Sequence, residues 1–251
     1  MADETLWHYT DAAGLLGALR NQELWASALG YLNDASEVAF GLATLKEVIG
    51  EIAAKSSLGV DDVWPGSVPL ERSSTGIYAV CFTTEGDQLS QWRGYAGGAG
   101  YALGVDLDPL IHIGDGPNEH AVEPYSVRYG QEANRFLRRE VESRALLDDG
   151  RLTEKNAQAL LRNLPRYKHG SFAEEREWRL AILDADPKKV EFRPRAGRIL
   201  PYIPVALPKQ ALKYVRVGPG ADLAAVAAVE LALERFGWSD VKVDQSESPY
   251  R

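Results

Sequence analysis

Phe172-Ala173-Glu174-Glu175-Arg176-Glu177-Trp178-Arg179-Leu180-Ala181-Ile182-Leu183 is the stretch whose reading decides the fold: three carboxylates and two guanidinium groups lead into an apolar run. The apolar run predicts a strand over 175–183, and alternation along it places Glu175, Glu177 and Arg179 on one face, with Arg176, Trp178 and Leu180 on the other. Two carboxylates and an arginine aimed at one place must be solvated, paired or used. The plain reading is a charged ladder at a sheet edge that discourages edge-to-edge pairing; the functional reading is a site.

Working outward, the chain alternates strand-like and helix-like stretches. Residues 5–10 read as a strand, and Asp11 caps a helix carrying Leu15, Leu16 and Leu19 on one face. After a turn at Asn33-Asp34, a longer helix starts at Ser36-Glu37 and runs through Ile52. Gly59, Pro65, Gly66 and Pro69 break periodicity from about 56 to 74, which reads as a long loop or mobile lid. Strands follow at 76–83, 101–108 and 126–130, then mainly helix over 131–163 ended by Pro165. Beyond the charged strand come strands at 189–193, 198–206 and 212–217, a helix over 222–236 stopped by Gly237, and a last strand at 241–243. Strands on both sides of helical insertions favour an α+β fold over a doubly wound parallel sheet, in a single domain spanning 1–251.

Composition narrows the classes of function. A hydrophobic content of 45% with 25% charged residues is that of an ordinary globular chain. A net charge of -8 offers no general electrostatic grip on nucleic acid or an anionic membrane. The one cysteine, Cys81, lies in an apolar run and reads as a buried small residue. An acidic start, Met1-Ala2-Asp3-Glu4, and apolar runs far short of a bilayer span make the cytoplasm the expected location, with no membrane partner.

Several familiar site signatures fail. Gly98-Ala99-Gly100-Tyr101-Ala102-Leu103-Gly104 has the wrong glycine spacing for a dinucleotide fingerprint and runs into a strand, where the fingerprint needs a helix N-terminus. Walker A, G-x-S-x-G and H-E-x-x-H patterns are absent, and four histidines with one cysteine argue against a structural zinc site. No metal ligands are assigned. What remains is a set of polar and aromatic groups. His8, Tyr9 and Thr10 stand at a strand end before a helix. Ser90, Gln91, Trp92, Arg93 and Tyr95 gather beside a glycine tract, where Arg93 suits a diphosphate and Trp92 or Tyr95 a flat ring; equally, Trp92 reads as a core anchor and Arg93 as a partner of Glu175 or Glu177.

Taken together, Leu6-Trp7-His8-Tyr9-Thr10, Tyr31-Leu32-Asn33-Asp34-x-Ser36-Glu37, Cys81-Phe82, Leu89-Ser90-Gln91-Trp92-Arg93-Gly94-Tyr95, Phe172-x-x-Glu175-x-Glu177-Trp178-Arg179 and Pro249-Tyr250-Arg251 resemble a bacterial family called domain of unknown function 2971. More distantly, an early histidine strand followed by a helix, a central aromatic motif and a late glutamate at a strand start are similar to ADP-ribosyltransferases. That resemblance implies a split β-sheet core with helical insertions and NAD as co-substrate. It implies an intracellular toxin or phage-defence effector that modifies a nucleic acid or protein. His8, with Tyr9 and Thr10, takes the role of binding the NAD ribose, and Glu177, or else Glu175, that of supporting the cationic transition state. Tyr31, Tyr78 and Tyr95 compete to stack on nicotinamide, and Ser90, Trp92 and Arg93 complete the expected cofactor side. Two other classes compete: a metal-dependent nuclease built on Asp106, Asp108, Glu175 and Glu177, and a noncatalytic ligand-binding module.

Overall fold

The computed structural model describes residues 5–31, 35–70, 76–97, 99–111, 122–146, 149–183, 185–195 and 197–249. The fold is α+β, with a mixed sheet and several helices, and its chain divides into two compact units. The first comprises Met1–Ser27, Tyr78–Tyr125 and Glu175–Arg251; the second comprises Ala28–Ile77 and Ser126–Glu174.

The first unit is built on the sheet. Its strands are β1 (Leu6–Thr10), β2 (Glu23–Ala28), β3 (Tyr78–Thr83), β4 (Tyr101–Val105), β5 (Val122–Ser126), β8 (Glu177–Ile182), β9 (Glu191–Arg195), β10 (Arg198–Ala206), β11 (Leu212–Val217) and β12 (Lys242–Gln245). The main path runs β12-β11-β4-β1-β3-β2-β10-β9, with β8 joined to β3 and β5 joined to β8. β11 and β12 pair in parallel, whereas β1 with β4, β3 with β8 and β10 with β9 pair antiparallel. β1 is fully registered on β4 but meets β3 at a single position, Trp7↔Thr83. The sheet therefore has a seam between β1 and β3, where the continuous ladder is interrupted.

Local chemistry sets the helices of this unit. Asp11 caps α1 (Ala12–Asn21) by accepting from the Gly14 amide at 2.8 Å, and Asp222 caps α8 (Leu223–Phe236), which Gly237 ends in the left-handed region at φ 74°. Two shorter helices, α4 (Leu89–Tyr95) and α5 (Asp108–Ile111), sit between strands. Trp238 is buried and donates its indole N–H to the Leu19 carbonyl at 2.9 Å, tying the end of α8 to α1.

The second unit is helical. α2 (Ala35–Ser56), α6 (Gly130–Leu146) and α7 (Glu154–Asn163) bury Leu45, Ile49, Leu137, Val141 and Leu160 against one another, and Leu164, in the 3-10 turn after α7, joins them. The segment expected to be a loop at 56–74 contains the short helix α3 (Val60–Val63). It contributes Val63, Trp64 and Val68 to this core, with the Trp64 indole bonded to the Val68 carbonyl at 2.8 Å; residues 71–75 lie outside the described ones. A short parallel pair, β6 (Arg128–Tyr129) and β7 (Tyr167–Lys168), closes the unit. Inside it the Glu140 carboxylate collects Asn163 Nδ2 at 2.6 Å, Arg144 Nη2 at 3.0 Å and the Tyr167 hydroxyl at 2.9 Å. Burial, followed by the charge of Glu140, raises the Tyr167 phenol well above its ordinary value.

The sequence reading missed β2, whose six residues Glu-Leu-Trp-Ala-Ser-Ala carry a weak strand signature. It also placed the strand after residue 122 too late, at 126–130, where β5 ends and β6 begins. The most instructive difference concerns the opening stretch. Gly170–Glu175 forms a 3-10 turn, Arg176 adopts φ 43°, and β8 begins only at Glu177. A left-handed residue cannot continue a pleated strand, so Glu175 does not share the strand face of Glu177 and Arg179.

Candidate functional site

The seam holds His8; Glu175 and Glu177 stand at the head of β8, and most of the other nominated side chains of the first unit lie on β1 and α4. Thr83 is the hinge of the arrangement: it pairs with Trp7 on one side and with Glu177 on the other. Trp7, Thr83 and Glu177 thus form one rung across β1, β3 and β8, and His8 stands one position beyond that rung. Its Nδ1 lies 2.8 Å from the Cys81 carbonyl, across the seam. A carbonyl oxygen only accepts, so Nδ1 carries the proton there, and in the neutral ring Nε2 is the accepting nitrogen. The ring also meets Phe82 edge-on at 5.9 Å. Cys81 itself is half-buried, a correction to the fully buried residue its apolar context suggests.

Glu177 and Arg179 are neighbours on one face of β8 and are both buried, at 7% and 2% exposure. Arg179 donates twice, from Nε to Oε1 at 2.7 Å and from Nη2 to Oε2 at 2.9 Å. This bidentate pair engages both oxygens of Glu177. Glu175, ahead of the strand, is half-buried and accepts the Tyr95 hydroxyl at 2.9 Å, while Tyr95 is 38% exposed. Arg176 turns outward to pair with Glu85.

α4 presents a graded face. Trp92 is fully buried, edge-on to Tyr9 at 4.7 Å, and donates its indole N–H to Asp87 Oδ1 at 2.7 Å; it is a core anchor and exposes no ring face. Gln91 is also buried, whereas Ser90, Arg93 and Tyr95 face outward. Among the described residues no ion pair involves Arg93: Glu177 is taken by Arg179, and Glu175 holds Tyr95. Tyr9 and Thr10 are buried. The Tyr9 hydroxyl donates to the Glu85 carbonyl at 2.8 Å and accepts from the Gln88 amide at 3.1 Å, and burial pushes its phenol up to about 12. Tyr9 thereby holds the loop before α4. Thr10 packs on Gly14, where a Cβ would fall 1.9 Å from its Oγ1.

Tyr31 belongs to the second unit and is 61% exposed, and Tyr78 is buried in β3. The side chain of Glu37, and Asn33, Asp34, Tyr250 and Arg251, lie outside the described residues. Asp106 Oδ2 pairs with Lys213 Nζ at 3.3 Å, and Asp108 opens α5. Among the described residues no three His, Cys, Asp or Glu side chains group as metal ligands.

Sequence reasoning missed Asp87, a carboxylate held by several donors. Besides Trp92, it accepts the Ser246 hydroxyl and the Glu247 amide at 2.8 Å, and its own carbonyl accepts the Ser248 hydroxyl at 2.8 Å. Burial works to raise its carboxyl, but the hydrogen bonds from Ser246, Trp92, Glu247 and Ser248 outweigh it and hold the group below the usual value. The available signal was weak: a lone aspartate before a helix, with its partners some 160 residues later in sequence. Next to it, Gly86 lies against Trp7, where a Cβ would fall 2.3 Å from the ring, while a Cβ at Gly94 would meet nothing within 4 Å. Trp7 is covered in turn by the Arg216 guanidinium, 4.7 Å from its ring centroid, and Arg216 is locked bidentately to Asp244 at 2.7 Å.

Residues 91–180 match the family described as Protein of unknown function (DUF2971), a range that runs from α4 through the head of β8. No curated protein and no solved structure matches the chain. Among the described residues no helix is long and apolar enough to cross a membrane.

Proposed function

We propose that this chain is an ADP-ribosyltransferase-like protein that uses NAD as co-substrate and transfers ADP-ribose to a macromolecular acceptor, a nucleic acid or a protein. The observation that carries the reading is the Tyr95–Glu175 contact at the head of β8, in the same unit as the seam that holds His8. Of the three competing tyrosines, Tyr95 alone joins a nominated carboxylate and keeps an exposed edge. The side chains present suit NAD: an exposed guanidinium at Arg93 for a diphosphate, an aromatic ring at Tyr95 for a flat heterocycle, and a half-buried carboxylate at Glu175 for a ribose. On this reading the seam is the split of an ADP-ribosyltransferase-like sheet.

NAD supplies a glycosidic bond whose cleavage builds positive charge on the ribose. A fixed carboxylate lowers the energy of that cation more than that of the neutral ground state. Glu175 fills this role, with the Tyr95 hydroxyl orienting it. Glu177, neutralised by Arg179, acts from behind by fixing the start of β8. His8, anchored by Nδ1 to the Cys81 carbonyl, contributes its ring to the ribose side of the site.

Nicotinamide release from NAD, followed by mass spectrometry alongside calorimetric NAD binding, tests the assignment. Release is expected in the wild type, and it is lost in Glu175→Gln and in His8→Ala while binding persists in the former. Absence of binding at millimolar NAD sinks the reading. A second reading, the noncatalytic ligand-binding module, is favoured by one observation: the closed Glu177–Arg179 pair, which is built as a structural element. Binding of NAD without any release, in the presence of nucleic acid and protein extracts as acceptors, would select it.

A further inference from the structure

We propose that the segment Ser246–Ser248 is a strap that holds α4 in place, with Asp87 as the positioning residue through which it acts. The helix needs such help. Seven residues are too few to be stable alone, Gln88 supplies no side-chain cap, and Gly94 lies inside the helix. Its retention depends on the Tyr9 hydroxyl at the Gln88 amide and on Asp87, whose carboxylate grips the buried Trp92 indole.

Asp87 is fixed in turn by the strap. The Ser246 hydroxyl and Glu247 amide reach its carboxylate, the Ser248 hydroxyl reaches its carbonyl, and the Ser248 amide donates to Ser246 Oγ at 3.1 Å. The strap is anchored where it leaves β12: the Ser246 amide donates to the Val217 carbonyl at 2.8 Å and Gln245 Nε2 to the Ala221 carbonyl at 3.2 Å. Residues far apart in the chain are thus linked through one aspartate to the outward groups of α4, Arg93 and Tyr95. Removing the Ser246 donor opens the link, and a negative charge at that position sets two anions against each other. The consequence for a ligand at Arg93 and Tyr95 rests on the functional reading above; the consequence for α4 does not.

Hydrogen–deuterium exchange across residues 88–97 tests the strap without any ligand. Asp87→Asn, Ser246→Asp and a chain ending at Gln245 are each expected to raise exchange there by about tenfold or more, with peptides of β9 and β10 unchanged. Ser246→Thr keeps the hydroxyl and is expected to behave as the wild type. The Trp92 indole N–H resonance should shift in the first three proteins and stay in place in the fourth. Unchanged exchange over 88–97 in Ser246→Asp and in the shortened chain overturns the proposal, as does a rise spread evenly over the whole protein. NAD binding on the same samples separates the two readings: strap release without any NAD affinity in the wild type leaves the strap standing and removes the transferase.

Discussion

Glu175 and Glu177 stand two residues apart, yet their surroundings are opposite. Glu177 is buried and gripped at both oxygens by Arg179, whereas Glu175 is half-buried, sits in a 3-10 turn and holds a tyrosine with an exposed edge. The left-handed Arg176 between them creates the difference, because it ends the turn and starts the strand. Two similar side chains therefore divide into one closed inside the strand and one held ahead of it by a tyrosine hydroxyl.

The sharpest way to break this comparison is to leave Glu177 without its guanidinium. Arg179→Met is expected to cost about 3–5 kcal/mol in urea unfolding, because an unpaired carboxylate stays buried. Glu177→Leu combined with Arg179→Met should recover most of that loss, and a double variant as unstable as the single would show that the pair does more than balance charge. Glu177→Gln should also lower the melting temperature, because it removes the charge that both Arg179 bonds engage.

Glu140 of the helical unit is a second closed carboxylate and offers a control. Tyr167→Phe removes a charge-assisted bond and should cost about 1.5–3 kcal/mol by the same measurement, with no effect on NAD release. An effect on release comparable to that of Glu175→Gln would remove the proposed distinction between Glu175 and the closed carboxylates.

Acid titration probes a third environment. The Asp87 carboxyl is held below its ordinary value of 3.8, so its contribution is complete above that pH and is lost as pH falls through the lower, folded value. Asp87→Asn should therefore flatten the acid limb of the stability curve while lowering stability at neutral pH. A curve parallel to the wild type would remove Asp87 from the acid response. The smallest effect on stability belongs to Glu175→Gln, expected within about 0.5 kcal/mol of the wild type, as for a change away from core and caps. That near-silence, combined with lost nicotinamide release, is what the proposed role of Glu175 requires.

Much of the fold was legible because it follows from local chemistry. Asp11, Asp222 and Gly237 mark helix ends in the sequence and act as such, and the α+β class follows from the spacing of strands and helices. The site was legible in its residue types but less so in its pairings. Alternation alone joined Glu175 to Glu177, and only the backbone angle at Arg176 separates them. Arg93 was expected to be a possible partner of that pair, but Arg179, two positions along the same strand, lies closer to Glu177. Asp87 escaped notice because its partners come from the chain's far end, and long-range hydrogen bonds leave no periodic trace. Val63, Trp64 and Val68 were hidden among Gly and Pro residues that usually mark loops.

The contrast between Gly86 and Gly94 bears on how this motif tolerates change. One flank of the Asp87–Tyr95 segment is wedged against an indole and admits no side chain, while the helix position at Gly94 opens onto empty space. Engineering can therefore proceed from the outer flank only. With Cys81 replaced by serine, a cysteine introduced at Gly94 would carry a spectroscopic label beside Tyr95, turning a short helix into its own reporter of ligand arrival.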